Sequence, residues 1–369
     1  MIGSFRNMLK KPINIIFLFL SMILMSVSFI YVYTDQYDTF ENQNRRADYQ
    51  IDGALLAFEM VDTAEGSPVY QNLALQKREI AKQLNSVLFE KPDKYIESGN
   101  ELAKLREELR KEKYFNHEIE ILQPPLAKTK MDSTYFTHVL KTNETIYLKP
   151  ETFSTLSLFF FSILGIVWFP VCAFLTANML EDEYEHESLL KGLPESFLRR
   201  CLRRYGTLFK FFIIGLLGAL LLAFGFTQLF GNGINDLGNS QVVQLISFSI
   251  LKNWQVMLLY IFYLIVLFTF VFTLSIFLNV LLRNFYLTLI LEMIFYALTI
   301  LLPEFISESP WYLGAYLIPT YLLEGKYLTN TSSIFLNPIV GMGYLLMITF
   351  LLLLLISLMS KRGLKGVKA

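Results

Sequence analysis

The chain is short of nearly everything from which enzyme sites are built. Of its 369 residues only two are cysteine and three are histidine. The histidines, His117, His138 and His186, are dispersed, and none falls in a long apolar run. Neither H-E-x-x-H nor G-x-S-x-G occurs, which argues against an intramembrane metalloprotease and a serine hydrolase. G-x-x-x-x-G-K-[ST] is absent too, so the chain has no Walker loop with which to cradle nucleotide phosphates. Cys172 lies inside an apolar run and Cys201 in a charged stretch, leaving the one hydrophilic region without a thiol. That region is not a disulfide scaffold and must fold on its core alone. Charged residues are only 17% of the chain and cancel to a formal net charge of zero. No basic stripe with interleaved aromatics stands clear of an apolar flank, so no nucleic-acid partner is expected. No internal repeat, direct or inverted, suggests a secondary transporter built from duplicated halves. No metal or cofactor is expected in this chain.

What the chain has in abundance is apolar surface: 54% hydrophobic residues, with 33 Phe and 20 Tyr. This places it in the membrane class. Residues 1–12 carry Ile2, Phe5 and Leu9 at helical spacing with Arg6, Lys10 and Lys11 on the other side. They read as a short interfacial helix or as a disordered basic terminus. Ile13 to Tyr33 is an uncharged apolar run of about 21 residues, enough to span a bilayer, and no A-x-A site follows it, so a retained anchor is expected. Five further segments are of spanning length: Thr155 to Met179, Leu208 to Phe230, Met257 to Leu282, Phe285 to Leu302 and Ile334 to Met359. The fold class expected is an all-α polytopic membrane protein with six transmembrane helices. A mainly helical extracytoplasmic domain, residues 34–152, falls between the first and second, and residues 153–369 form a five-helix transmembrane region.

In the hydrophilic domain Leu73, Ile80, Leu84 and Leu88 share one helical face, and Leu102, Leu105 and Leu109 another. With Lys91-Pro92-Asp93 between them as a turn, they predict a helical hairpin. Glu107 and Lys111 are spaced i to i+4 in the favourable order for an exposed helix. The charges are a solvated face, with a coiled-coil partner as the alternative. His117 to Leu122 and Tyr135 to Leu148 are ambiguous between strand and helix. Asn143-Glu144-Thr145 and Asn330-Thr331-Ser332 fit the glycosylation pattern and are assigned no role.

Arg6, Lys10, Lys11, Lys191, the cluster Arg199 to Arg204, Arg283, Lys361, Arg362, Lys365 and Lys368 all fall on one side of this topology. Only Lys252 and Lys326 fall in the short loops of the other side. By the positive-inside rule both termini are cytoplasmic and the protein is a multi-pass component of the cytoplasmic membrane, with lipids as partners. Residues 303–333, with Pro310, Trp311, Tyr312, Tyr316, Pro319 and Tyr321, suit an outer re-entrant segment that dips in without crossing. Glu292 lies about midway along its span, where an ionised carboxylate costs roughly 2.5 kcal/mol or more unless paired or wetted. It should face the bundle interior. Either it lines a transport path or subunit interface, or it is a protonated or hydrogen-bonded structural acid held by Ser or Tyr neighbours such as Tyr296.

The stretch 180–207 breaks the apolar pattern with acids first (Glu181, Asp182, Glu183, Glu185, Glu187). Leu189-Leu190-Lys191-Gly192-Leu193-Pro194 follows, and then come the arginines Arg199, Arg200, Arg203 and Arg204. Its bland reading is a solvated loop held to headgroups by its arginines. In sequence it resembles the cytoplasmic coupling loop of type-2 ABC transporter permeases: an acidic E-x-E, a Gly-Thr, two or three leucines, then Leu-Pro-x-Ser. Glu181, Glu183, Leu189, Leu190, Leu193, Pro194 and Ser196 match, whereas Glu185 and His186 stand where the Gly-Thr would be. The resemblance takes in the first span and everything from Thr155 onward, and leaves the large hydrophilic domain unexplained. It implies a permease subunit of an ATP-driven exporter, with separate ABC ATPase subunits that hydrolyse ATP and a second permease copy, like or unlike. The ATPase-coupling residues would be Glu181, Glu183, Leu189, Leu190, Gly192, Leu193 and Pro194. An amphipathic or lipid-like cargo is expected, such as an antimicrobial peptide, a lipid or a drug. The alternative function is a non-transporting membrane receptor or immunity protein that binds a peptide through its outer domain.

Overall fold

A computed structural model of the chain describes residues 12–34, 38–61, 68–112, 115, 117–180, 196–231, 233–245, 247–302, 311–325 and 335–363. It is mainly helical, and four of its helices are long and apolar enough to cross a membrane: α7 (Phe153–Ala177), α8 (Phe197–Phe230), α9 (Asn253–Leu282) and α12 (Pro338–Gly363, apolar as far as Met359). The protein is therefore membrane-embedded. Two further apolar helices lie beside them, α1 (Pro12–Tyr33) and α10 (Phe285–Leu301).

The bundle is held as membrane bundles are, by close packing and interhelical hydrogen bonds, because lipid is as apolar as leucine and burial alone drives little. Helix α1 lies against α8, where Gly218 leaves room for the Met22 side chain and Phe29 stacks on Phe226 with ring centroids 4.4 Å apart. Helix α7 is central. Its Trp168 donates its indole N–H to the Leu264 carbonyl of α9 at 3.0 Å and packs on Phe212 of α8 at 4.6 Å.

The polar residues ahead of α7 form a helical head: α2 (Phe40–Val61), α3 (Pro68–Leu88), α4 (Pro92–Leu109), α5 (His117–Leu122) and α6 (Leu126–Thr142). The expected hairpin is α3–α4. Leu73, Ile80, Leu102 and Leu109 are buried together with Ile51, Val69 and Ile119, while Leu88 at the tip is exposed. The turn falls at Phe89 to Lys91, with Glu90 in the left-handed region and Pro92 opening α4, where its missing N–H costs nothing. Helix α4 ends at Leu109, so Lys111 lies beyond it and the expected Glu107–Lys111 pair does not share a helix. Instead α4 is tied to α6 by Arg106, 3.9 Å from Asp132. Burial pushes the Arg106 guanidinium down from its ordinary value, and the Asp132 charge opposes that.

Between α8 and α9 the chain makes a two-stranded antiparallel hairpin, β1 (Ser240–Gln244) and β2 (Phe248–Lys252), with Ser240 opposite Lys252. The sequence reading had no strand here. The hairpin fastens the head to the bundle. Ser240 gives its N–H to Glu144 Oε2 at 3.0 Å and its hydroxyl to Oε1 at 2.9 Å, and Asn239 Nδ2 donates to the Thr145 carbonyl at 2.9 Å. Because the end of α8 meets the start of α7 at this head end (Phe153 N to Gly233 O, 3.0 Å), the two helices run antiparallel. Residues 180 and 196 therefore fall at the far end.

Of the expected re-entrant segment, 311–325 is described. It is a 3-10 turn at Leu313–Tyr316 and a short helix, α11 (Pro319–Leu323), both buried. Thr320 donates to the Ser162 carbonyl of α7 at 2.7 Å, and Tyr263 of α9 donates to the Tyr316 carbonyl at 3.0 Å. Ser162 lies nine residues into α7, a depth of about 14 Å at 1.5 Å per residue. The segment thus reaches partway into the bundle from the head end. Gly165 makes the approach possible, because a Cβ there would stand 2.4 Å from Thr320 Oγ1. Gly165→Ala should cost about 1 kcal/mol by overpacking. In a Thr320→Ala background, which has already lost the bond to Ser162, the same substitution should cost much less in thermal unfolding of the detergent-solubilised protein, since the clash is with the hydroxyl.

Candidate functional site

Glu292 is the acid most deeply set among the spans. It is 1% exposed on α10 and faces inward, against α9 and α7. Its Oε1 lies 2.6 Å from the Ser275 hydroxyl, Ser275 Oγ lies 2.6 Å from Thr176 Oγ1, and Thr176 lies 2.8 Å from the Cys172 carbonyl one turn back on α7. Beside this line, Asn279 Nδ2 donates to the Ala177 carbonyl at 2.8 Å and its Oδ1 accepts from Thr288 at 3.3 Å. The spacing explains the convergence. Ser275 and Asn279 are i and i+4 on α9, Thr288 and Glu292 are i and i+4 on α10, and Cys172 and Thr176 are i and i+4 on α7. Helices α9 and α10 each present two adjacent polar side chains on one face, and α7 presents Thr176 with the Cys172 carbonyl one turn back. Glu292 Oε2 is buried and, among the described residues, has no hydrogen-bond partner.

The site lies toward the far end of the bundle. Thr176 is the penultimate residue of α7, and Ser275 precedes the end of α9 by seven residues, about 10 Å. The last carbonyls of α7 would otherwise be orphans, and Asn279 caps one of them. A 3-10 turn, Asn178–Leu180, follows directly, and Leu180 is itself buried. The polar cluster therefore clamps the base of the helix from which the stretch 181–195 departs.

Tyr296 is not a partner of Glu292. Its hydroxyl donates to the Ile166 carbonyl on α7. Pro170 sits inside α7 with no N–H, which leaves the Ile166 carbonyl without its helical donor, and Tyr296 replaces it from the neighbouring helix. The ring also stacks on Phe169 with centroids 5.5 Å apart.

The other residues singled out from the sequence, Glu181, Glu183, Leu189, Leu190, Gly192, Leu193 and Pro194, lie outside the described residues. The chain is described up to Leu180 and again from Ser196, where α8 begins one residue later. Sequence reasoning found Glu292 but missed Thr176, Ser275, Asn279 and Thr288. The available signal was the pair of i, i+4 polar residues in each of two otherwise apolar spans. Among the described residues no group of His, Cys, Asp and Glu is arranged to hold a metal ion. Comparison with known protein families, with curated proteins and with solved structures finds no match to this chain.

Proposed function

We propose that the chain is the membrane subunit of an ABC-type exporter, embedded in the cytoplasmic membrane with six crossings, both termini inside and the helical head outside. Two copies, or one copy and a related permease, enclose a path for an amphipathic or lipid-like cargo. Separate ATPase chains bind at the inner face and grip the stretch holding Leu189, Leu190, Gly192, Leu193 and Pro194. Their ATP-driven closure pushes on α7 and α8 and shifts the bundle between inward-facing and outward-facing arrangements.

The observation that carries this reading is the clamped base of α7 immediately before residue 181, at the end of the bundle opposite the head. Force applied to a stretch leaving a rigid helix base is passed to the spans; applied to a frayed end, it would be dissipated. Helix α8, on the other side of the stretch, has 34 residues, about 51 Å, and so outruns the hydrocarbon layer by several turns. Its extra turns carry Arg199, Arg200, Arg203 and Arg204, as the positive-inside rule requires of a cytoplasmic end. The test is co-purification of the tagged full chain from its own host in mild detergent. An ATPase subunit should be retained, and replacing Leu193 and Pro194 should uncouple ATP hydrolysis from transport. A well-folded chain that retains no ATPase refutes the reading, leaving the membrane receptor or immunity protein in its place.

A further inference from the structure

We propose that Glu292 is held as a neutral, protonated acid at neutral pH, and that its proton completes a one-way line of hydrogen bonds from α10 through α9 to α7. The argument is a count of hydrogens. Three contacts lie in series: Glu292 Oε1 to Ser275 Oγ at 2.6 Å, Ser275 Oγ to Thr176 Oγ1 at 2.6 Å, and Thr176 Oγ1 to the Cys172 carbonyl at 2.8 Å. All three are hydrogen-bond lengths for oxygen pairs, so each needs one hydrogen between its atoms. Ser275 and Thr176 supply one each, and the carbonyl supplies none. With Glu292 ionised there are two hydrogens for three links, and two lone pairs face each other across one of them. A protonated Glu292 supplies the third. The direction is then fixed throughout: the acid donates to Ser275, Ser275 to Thr176, and Thr176 to the carbonyl.

The surroundings favour the same state. Oε2 is buried and has no partner among the described residues, which a carbonyl-like oxygen tolerates far better than half of a carboxylate does. Among the described residues, the side chains that share this site are Ser275 and Asn279 of α9, Thr288 of α10, and Thr176 and Cys172 of α7. None of them is a cation, and Cys172, the one other titratable group, adds no positive charge. The ligand of the site is thus a proton. Its loss would cut the tie between α10 and the base of α7 just ahead of residue 181. The inference stands on geometry within the bundle and holds whether or not an ATPase binds below.

The direct readout is infrared spectroscopy of the purified full-length protein in lipid nanodiscs at neutral pH, where solvent-exposed carboxyls are ionised. A protonated-carboxyl C=O band is expected in the wild type and absent in Glu292→Gln, whose amide can donate to Ser275 in place of the acid. Ser275→Ala should move the band to higher frequency by removing the acceptor. No such band in the wild type, a band that persists in Glu292→Gln, or one that stays put in Ser275→Ala overturns the proposal. If Glu292→Gln does not fold, the wild-type band and its shift in Ser275→Ala decide the matter. As a second measure, wild-type stability should fall as pH rises from the ordinary carboxyl range to the pH at which the folded acid loses its proton, because over that range the unfolded chain is ionised at Glu292 and the folded one is not, and this component of the pH dependence should be missing in Glu292→Gln.

Discussion

Asp236→Ala should lower the stability of the protein by about 3 kcal/mol, the upper part of the range for hydrogen bonds to a charged group. Asp236 is 5% exposed in the loop between α8 and β1. Its Oδ2 accepts from the Thr152 hydroxyl at 2.5 Å and its Oδ1 from the Ser154 N–H at 3.3 Å, so the carboxylate sits at the N-terminus of α7. There it satisfies a backbone donor that has no helical partner and lies favourably at the positive end of the helix dipole. Its own carbonyl accepts from Asn253 Nδ2 at 2.9 Å, which brings in the first residue of α9. Three elements thus meet on one residue. Alanine would leave the Ser154 N–H buried and unpaired. Asp236→Asn keeps an oxygen acceptor and should cost about 1 kcal/mol or less, chiefly the lost charge at the helix end. Thermal unfolding of both variants in detergent checks this; an alanine variant as stable as the asparagine one would show that the Asp236 side-chain oxygens do not hold these elements together.

The bundle was legible because its signal is length. Every segment expected to span is an apolar helix, some with close boundaries, as Phe285–Leu301 where Phe285 to Leu302 was expected, and others displaced, as Phe197–Phe230 where Leu208 to Phe230 was expected and Pro338–Gly363 where Ile334 to Met359 was expected. The larger differences arise where polar residues extend a helix beyond its apolar run, as Asn253 and Gln255 do at the start of α9, Arg199 to Arg204 at the start of α8, and Lys361 and Arg362 at the end of α12. The head was half legible. Helices α3 and α4 show their leucines at helical spacing, whereas α2 was not seen, because in its sequence, FENQNRRADYQIDGALLAFEMV, Ile51 and Ala54 are the only apolar side chains fully buried among the described ones. Helix α6 was left ambiguous by Thr, Tyr, Phe and Val, residues that suit strands as well; burial of Phe136 and Val139 against Tyr95 and Ile96 settles it as helix. The hairpin at 240–252 was hidden because its strands are only five residues each and the apolar pairs Val242-Val243 and Ile250-Leu251 break the alternation that marks a strand.

The site divides in the same way. A single acid in a span announces itself, because the cost of an unpaired charge in hydrocarbon leaves few places for it. Its partners do not announce themselves, since one serine among apolar residues is common in spans. Tyr296, four residues along from Glu292, was the natural candidate by spacing. The competing demand was the carbonyl that Pro170 leaves open, which lies on a different helix and cannot be read from the sequence around Tyr296.

That demand gives the last prediction. Tyr296→Phe should cost about 2 kcal/mol, because it strands the Ile166 carbonyl in an apolar setting where no water replaces the lost donor. The ring itself stays, so its stacking on Phe169 is kept and the loss reports the hydroxyl alone. In a Pro170→Ala background the same substitution should cost almost nothing, since alanine restores a backbone N–H four residues after Ile166 and the helix satisfies its own carbonyl. The coupling between the two sites in a double-mutant cycle should therefore approach the whole cost of Tyr296→Phe. Equal costs in both backgrounds would mean that Tyr296 acts through packing or another partner. A large coupling would show that α7 and α10 are joined by the one bond that proline compels α7 to find outside itself, on the same pair of helices that Glu292 ties together nearer the far end.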